Sequence, residues 1–501
     1  MNKRPNILFI MPDQQRADML GSYGDPAAKT PNTDRLATEG LQFERCFCQA
    51  PLCMPSRASM LTERYVRDHG VFQNSSVVES TVPTFVQALR DGGYHTAQVG
   101  KTHLYTHLPW RSGQHMNERR KVLENYGFVE THEIAGKEAT LRVDSIYTDY
   151  LREHGLLDSY RSYLASRNKH TLEDNPDQSP ARAWNADPLP LPLHAHMDVW
   201  LGDYAAKWIR SYDRDEPFFL QVGFGGPHDP WDAPVEALEA FGDPEIPMPG
   251  TLNPPEIPKS GPLSVFLSVL TDYCDTETMT PEAIRIARRA YYANMMMIDD
   301  SIGKILAALK EVGGLDNTWI VYVSDHGEMM GEHRMVKKMV FYDPSVRVPM
   351  ILRPPGGAAP RKVDDLVELF DVSATFRDIA GVPMPTSHAQ SLLPAVGGAS
   401  VARDVAISEA YGVAMFRTAT EKLVVYEDTC EPMQYFDLAA DPLENRDLVG
   451  TGAADDRIEA MLSRYARPFL SIRPIRPHRS MIERRSMAKN TFHLPERVFV
   501  E

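Results

Sequence analysis

The sequence predicts an α/β protein: a mostly parallel central sheet flanked by helices, with a smaller antiparallel subdomain toward the C-terminal end. Three observations predict it. Four short apolar runs, Asn6–Met11, Tyr94–Gly100, Pro217–Phe224 and Trp319–Ser324, read as strands buried on both faces, as a parallel sheet requires. Segments with helical apolar spacing lie between them. Near the end, Val413–Thr418 and Lys422–Glu427 alternate instead, which is the pattern of antiparallel strands.

The first run stops at Pro12, and Asp13-Gln14 follows at its carboxyl end. Ligands of open α/β sheets bind at such ends. Asp13 by itself reads as a turn residue. Together with Gln14 it offers a carboxylate and an amide oxygen, hard ligands for a divalent cation. Thr30–Leu36 reads as a helix start with Pro31 in its first turn.

The stretch Pro51–Tyr65, PLCMPSRASMLTERY, organises the rest. It sets Cys53 four residues before Arg57, at the head of a short helix. Positive potential there favours an anion, and a guanidinium holds tetrahedral oxyanions in a fork. A single cysteine is by default a buried hydrophobe, so the motifs downstream decide the matter.

Gly70–Asn74 reads as a loop and Pro83–Arg90 as a helix. The second strand ends in Lys101-Thr102-His103, whose lysine and histidine, two apart, share a face. Leu104–Leu193 carries little motif signal; helical pieces and a Pro/Asp-rich loop, Asp174–Pro192, are expected there. Asp198–Tyr212 is an amphipathic helix. The third strand runs into Gly225–Trp231, with His228 at its centre. Pro281–Val312 is one long helix or two. The fourth strand leads to Asp325-His326-Gly327-Glu328, where Gly327 is expected to permit a sharp turn. Lys337-Lys338 follow, and Leu366–Gly381 reads as a helix with a glycine stop. The tail, Ser471–Glu501, is arginine-rich with two Arg-Pro steps and reads as an extended arm.

Composition narrows the function. A chain of 501 residues with 43% hydrophobic and 24% charged residues can bury a large core and a smaller one. A formal charge of −15 argues against a nucleic-acid binder, so an anionic substrate needs a locally basic cleft. Five cysteines make no disulfide framework, and Cys46, Cys48 and Cys53 lack the paired spacing of a zinc knuckle. The apolar run Ile7–Met11 is too short for a signal core, and no window approaches a membrane span. A cytoplasmic enzyme, with no membrane or nucleic-acid partner, is the expectation.

Cys53-Met54-Pro55-Ser56-Arg57, with Leu61-Thr62 and Arg64, resembles the signature of the type I sulfatases of the alkaline phosphatase superfamily. Glu63 stands where that family usually has glycine. Gly100-Lys101-Thr102-His103, Pro227-His228, Ser324-Asp325-His326-Gly327-Glu328 and Lys338 resemble the family's later segments, in the family's order. The resemblance spans roughly residues 5–450. It implies an alkaline-phosphatase-like fold with a catalytic domain over 1–385 and an antiparallel subdomain over 386–470; the basic tail, read from its composition, makes a third part, an arm over 471–501. The resemblance also implies that Cys53 is oxidised to formylglycine by a formylglycine-generating enzyme, and that the hydrated aldehyde attacks a sulfate ester as a geminal diol.

On that resemblance Asp13, Gln14, Asp325 and His326 hold one divalent cation. Oxygen ligands suit calcium, the imidazole leans toward manganese, and magnesium ranks after both. Arg57, Lys101 and Lys338 supply positive charge. His103 deprotonates the second hydroxyl, His228 protonates the leaving group with Lys338 assisting, and Asn74 contacts substrate. The substrate is then a small sulfate monoester, with aryl sulfates turned over readily, and the arm suggests a homo-oligomer. Asp-Gln and Asp-His pairs also resemble the phosphonate monoester/phosphodiester hydrolases of the superfamily, which is the alternative reading. A binding protein that keeps only the fold, and a plain cysteine hydrolase, explain fewer of these residues.

Overall fold

In a computed structural model of the chain, the described residues run from 4 to 472, apart from 75, 108–113, 168–185, 253–279 and 411. Most of the Asp174–Pro192 loop and nearly all of the Ser471–Glu501 arm therefore lie outside the described residues. No helix among the described residues is long and apolar enough to cross a membrane.

Among the described residues, twelve strands form two sheets. In chain order they are β1 Asn6–Asp13, β2 Leu41–Phe47, β3 His95–Gly100, β4 Glu130–Glu133, β5 Phe218–Pro227, β6 Thr318–Val323, β7 Arg347–Arg353 and β8 Arg361–Glu368. Then come β9 Ala406–Ala410, β10 Val413–Arg417, β11 Glu421–Tyr426 and β12 Pro432–Asp437. The first eight make one sheet, in the order β4-β3-β5-β1-β6-β7-β2-β8. It is parallel except at β7, which runs antiparallel to both β6 and β2. The last four form an antiparallel sheet.

β1 is central because its residues can afford no water: Ile7, Leu8, Phe9, Ile10 and Met11 are fully buried. It pairs with β5 (Ile7 opposite Phe219) and with β6 (Ile7 opposite Trp319), both parallel. Helices cover both faces: Met197–Ser211 and the single 31-residue helix Pro281–Glu311 pack on the Leu8 and Ile10 face, Phe85–Asp91 and Asp371–Ala380 on the Ile7 and Phe9 face. The alternative of two helices over Pro281–Val312 is thereby settled.

The consequence for function is positional. β3, β5, β1 and β6 carry the predicted motifs and are consecutive across the sheet. At roughly 4.8 Å per strand, their carboxyl ends span about 14 Å. All the motif loops therefore leave one edge within reach of a small substrate.

One reading is corrected, and one strand is added. Leu366–Glu368 is the end of β8, and the helix begins only at Asp371, running to Ala380 before the left-handed Gly381. Val363, Leu366 and Val367 pack against the core as strand residues. Leu41–Phe47, which carries no strand pattern strong enough to stand out beside Glu44 and Arg45, is β2. Those two charges lie half-buried, where a bulge shifts the register between Phe43 and Cys46.

Candidate active site

Cys53 opens the helix Cys53–Thr62, every residue of which is buried. Its Sγ lies 3.0 Å from His326 Nε2 and 3.7 Å from Asp13 Oδ1. His326 Nε2 lies 4.0 Å from Asp13 Oδ1 and 3.8 Å from Asp325 Oδ2. Ligand atoms from Asp13, Cys53, Asp325 and His326 thus all fall within 4.8 Å of one another. The Nδ1 of His326 sits 3.0 Å from Gly327 O. That contact makes Nδ1 the protonated nitrogen and leaves the Nε2 lone pair facing the cluster, the tautomer a metal ligand needs. The donor set of two carboxylates and one imidazole fits a divalent cation.

Arg57 explains how two buried carboxylates stand so close. Its Nε donates to Asp325 Oδ2 at 2.7 Å and its Nη2 to Asp13 Oδ2 at 3.0 Å. Its Nη1 donates to the carbonyls of Lys101 and Thr102 at 3.1 and 3.2 Å. The guanidinium is fully buried, so it ties three strand ends together from behind the site. Lys101 Nζ adds a second cation, 2.5 Å from Asp13 Oδ2. Burial opposes ionisation of Asp13, but Lys101 and Arg57 outweigh it and hold its pKa well below the usual carboxylate value. Asp325 is likewise lowered, by Arg57 against burial. His326 is lowered, burial being the main cause, and so stays neutral.

A second group lies beside the first. Lys338 Nζ is 2.7 Å from His228 Nε2 and donates to Gln14 Oε1. His228 Nδ1 is 2.6 Å from Asp229 O, which leaves Nε2 as the acceptor from Lys338. Burial opposes charge on Lys338, but the neighbouring Cys53, Asp229 and Asp13 raise its pKa. Gln14, in the left-handed region at φ 65°, turns its amide nitrogen to Glu328 and to Asp229 Oδ1 at 3.3 Å. Its side chain therefore bridges the two groups. Its backbone N–H donates to Asp325 Oδ1 at 3.0 Å.

His103 also has a positive φ, 50°. Its ring lies 4.6 Å from that of His107. Burial, then His107 and Lys101, depress its pKa well below the usual imidazole value, so it is neutral near pH 7. Asn74 Oδ1 accepts from Met54 N at 3.0 Å, holding the head of the Cys53 helix.

Sequence reasoning overlooked several supports. Glu133 accepts from the hydroxyls of Thr102 and Tyr105, and lies 3.5 Å from His107 Nε2. Asp229 and Glu328, which grip Gln14, stand inside the recognised segments Gly225–Trp231 and Ser324–Glu328, but nothing local gave either a role. Gly327 is required for a different reason than expected. A Cβ there would meet Pro344 O at 2.0 Å, so the need is for room and not for a positive φ.

An α/β sheet whose carboxyl edge gathers a helix-head cysteine, two Asp-led loops and a Lys–His pair is the architecture of the alkaline phosphatase superfamily hydrolases. Within it the chain belongs to the sulfatase family: the sulfatase model matches residues 5–382. The model for the C-terminal region of N-sulphoglucosamine sulphohydrolase matches residues 331–467. An arylsulfatase of Clostridium perfringens is 30% identical over 91% of this chain and 92% of its own length. A choline-sulfatase of Rhizobium meliloti is 28% identical over 88% and 81%. The solved phosphonate monoester hydrolase of Agrobacterium radiobacter superposes with a TM-score of 0.72, at 26% identity, over 94% of this chain and 95% of that one. The protein is a sulfuric ester hydrolase.

Proposed function

We propose that the protein hydrolyses small sulfate monoesters, aryl sulfates among them, at a formylglycine made from Cys53, with one divalent cation bound beside it. The observation that carries this reading is the 3.0 Å contact between Cys53 Sγ and His326 Nε2. It sets the modifiable atom against the atoms that would ligate a cation. When present, formylglycine supplies a hydrated aldehyde with two hydroxyls on one carbon, and the cation supplies Lewis acidity toward the sulfuryl oxygens.

The chain's own residues do the rest. Asp13, Asp325 and His326 hold the cation, with the Gln14 amide oxygen at the edge of the set. Calcium or manganese suits them ahead of magnesium. Arg57 fixes the two carboxylates relative to each other. Lys101 and Lys338 set positive charge about the anionic ester. The hydrogen-bonded Lys338–His228 pair delivers a proton to the leaving oxygen, and neutral His103 takes up the proton released at residue 53 as turnover closes. Asn74 steadies the helix head at the substrate edge.

The division into 1–385, 386–470 and 471–501 belongs to the same reading. So do maturation by a formylglycine-generating enzyme, a cytoplasmic working place and an arm that packs on another copy. Four described cysteines, Cys46, Cys48, Cys53 and Cys430, are free thiols, which suits a reducing compartment.

A second reading has its own support. Gln14 and His326 match the phosphonate monoester/phosphodiester hydrolase pattern, and those esters share sulfate's single negative charge. Lys101 and His103 follow the sulfatase pattern instead. The test is kcat/KM for one aryl leaving group on sulfate, phenylphosphonate and phosphodiester, alongside peptide mass spectrometry for an aldehyde at position 53. Sulfate should lead. A lead above about tenfold for either phosphorus ester, roughly 1.4 kcal/mol at the transition state, would replace sulfate with the second reading.

A further inference from the structure

The segment Met330–Met339, which carries Lys338, holds five non-glycine residues at positive φ: Met330 at 43°, His333 at 52°, Arg334 at 55°, Lys337 at 68° and Met339 at 80°. Each is an unfavourable conformation for a residue with a Cβ, and such a run persists only when its surroundings over-determine it. Both ends of the segment are pinned by buried charge. At the first end, Glu332 Oε1 accepts from Arg288 Nη2 at 3.0 Å, while Arg288 Nε donates to Met330 O at 2.9 Å.

The far end is held from the antiparallel sheet. Lys422 on β11 is fully buried. Its ammonium donates to Phe341 O at 2.7 Å, Asp343 Oδ1 at 2.6 Å and Glu444 Oε1 at 2.5 Å. Three acceptors satisfy its three N–H groups. Glu444 Oε2 in turn accepts from Asp343 N at 2.7 Å. A buried ion cluster of this kind is poor evidence for stability, because apolar residues of similar volume commonly do as well. What the cluster does supply is a fixed position for the Phe341 carbonyl, three residues beyond Lys338.

We propose that Lys422 is a positioning residue for Lys338: from the C-terminal sheet it clamps the strained segment so that Lys338 Nζ meets His228 Nε2. The inference rests on the reading that Lys338 and His228 together protonate the leaving group. It makes the second sheet a working part of the active site.

The test compares phenyl sulfate, a poor leaving group, with 4-nitrophenyl sulfate, a good one, in full-length protein with measured formylglycine and metal content. Lys422→Met should lower kcat/KM for phenyl sulfate at least about tenfold and for 4-nitrophenyl sulfate less than about threefold, because only the poor leaving group needs the proton. In a Lys338→Ala background the same change should add no further selectivity. Equal losses on both substrates, no loss on either, or full additivity with Lys338→Ala would each overturn the proposal and leave Lys422 structural. If Lys338→Ala itself shows no leaving-group dependence, the role given to Lys338 fails, and this inference fails with it. Should Lys422→Met not fold by circular dichroism, Glu444→Gln, which loosens the same clamp, takes its place in the comparison.

Discussion

Lys338 Nζ lies 2.7 Å from His228 Nε2, although the two residues are 110 positions apart and leave different strands of the sheet. A cationic lysine hydrogen-bonded to an imidazole is placed to pass a proton to the leaving oxygen. His228→Ala should therefore slow hydrolysis of poor leaving groups by about 10²–10³ and of good ones far less. His103 sits apart, beside Lys101 and His107, and serves the other proton transfer. His103→Ala should give a burst of one equivalent of aryl alcohol per modified site, followed by slow turnover. Rapid-quench kinetics with both variants checks the division. Matching leaving-group slopes and no burst would refute it.

The cation prediction concerns Asp325. Asparagine there keeps an oxygen for the N–H groups of Gln14 and His326, each at 3.0 Å, and removes the charge. Asp325→Asn should fold yet lose most of its bound metal by elemental analysis. In the native protein, chelation should abolish activity, and calcium or manganese should restore it. Equal metal content in native and variant protein would take Asp325 out of the ligand set.

Glu63 ends the nucleophile helix in the left-handed conformation, φ 55°. Glycine suits that position. Here the side chain is fully buried and gripped by Arg377 Nε at 2.6 Å and Nη2 at 2.7 Å, with Ser387 Oγ at 2.5 Å. Arg377→Ala strands this carboxylate and should cost about 3 kcal/mol in urea unfolding. Glu63→Gly combined with Arg377→Met should recover most of that loss. A single variant within about 0.5 kcal/mol of the native protein would show that the pair is not needed.

The reach of sequence reasoning follows from these cases. The strands that carry Asp13, Lys101, His228 and Asp325 were legible because continuous apolar runs mark strands buried on both faces. The motif residues on those four strands were legible because each follows such a run, whereas Cys53 and Arg57 stood out only through their own spacing. β2 was not legible, because Glu44 and Arg45 interrupt its pattern at a bulge. Nor was the backing of the site by Arg57. An arginine four residues after the cysteine suggests substrate contact, and only the geometry shows its donors turned to Asp13, Asp325 and two carbonyls. Glu133 lies 31 positions from Thr102, Lys422 81 from Phe341 and Arg377 314 from Glu63, and no local signal marks a tertiary partner.

The last prediction is a pH dependence of stability centred on Glu368, at the end of β8. Its carboxyl is fully buried. It accepts from Tyr65 Oη at 2.9 Å and Ile407 N at 2.8 Å, and lies 3.2 Å from Arg403 Nη1. Burial raises its pKa from 4.5 to about 7, with Arg403 opposing and Asp371 adding to the rise. The folded protein then holds a proton that the unfolded chain has already released. The stability this contributes is fully present below pH 4.5 and is lost as pH rises through about 7. The whole change is at most about 3 kcal/mol. His103 and His326 act in the opposite sense, because with lowered values they make stability rise with pH until the unfolded histidines have lost their protons. The native curve alone therefore mixes the two. Glu368→Gln removes one contribution and leaves the histidines in place, so the native-minus-variant difference isolates it. Urea unfolding at pH 5, 6, 7 and 8, with metal chelated throughout, should show that difference moving against the native protein by a few kcal/mol across the range. Curves that stay parallel would mean Glu368 is ionised throughout, held by Arg403 against its burial.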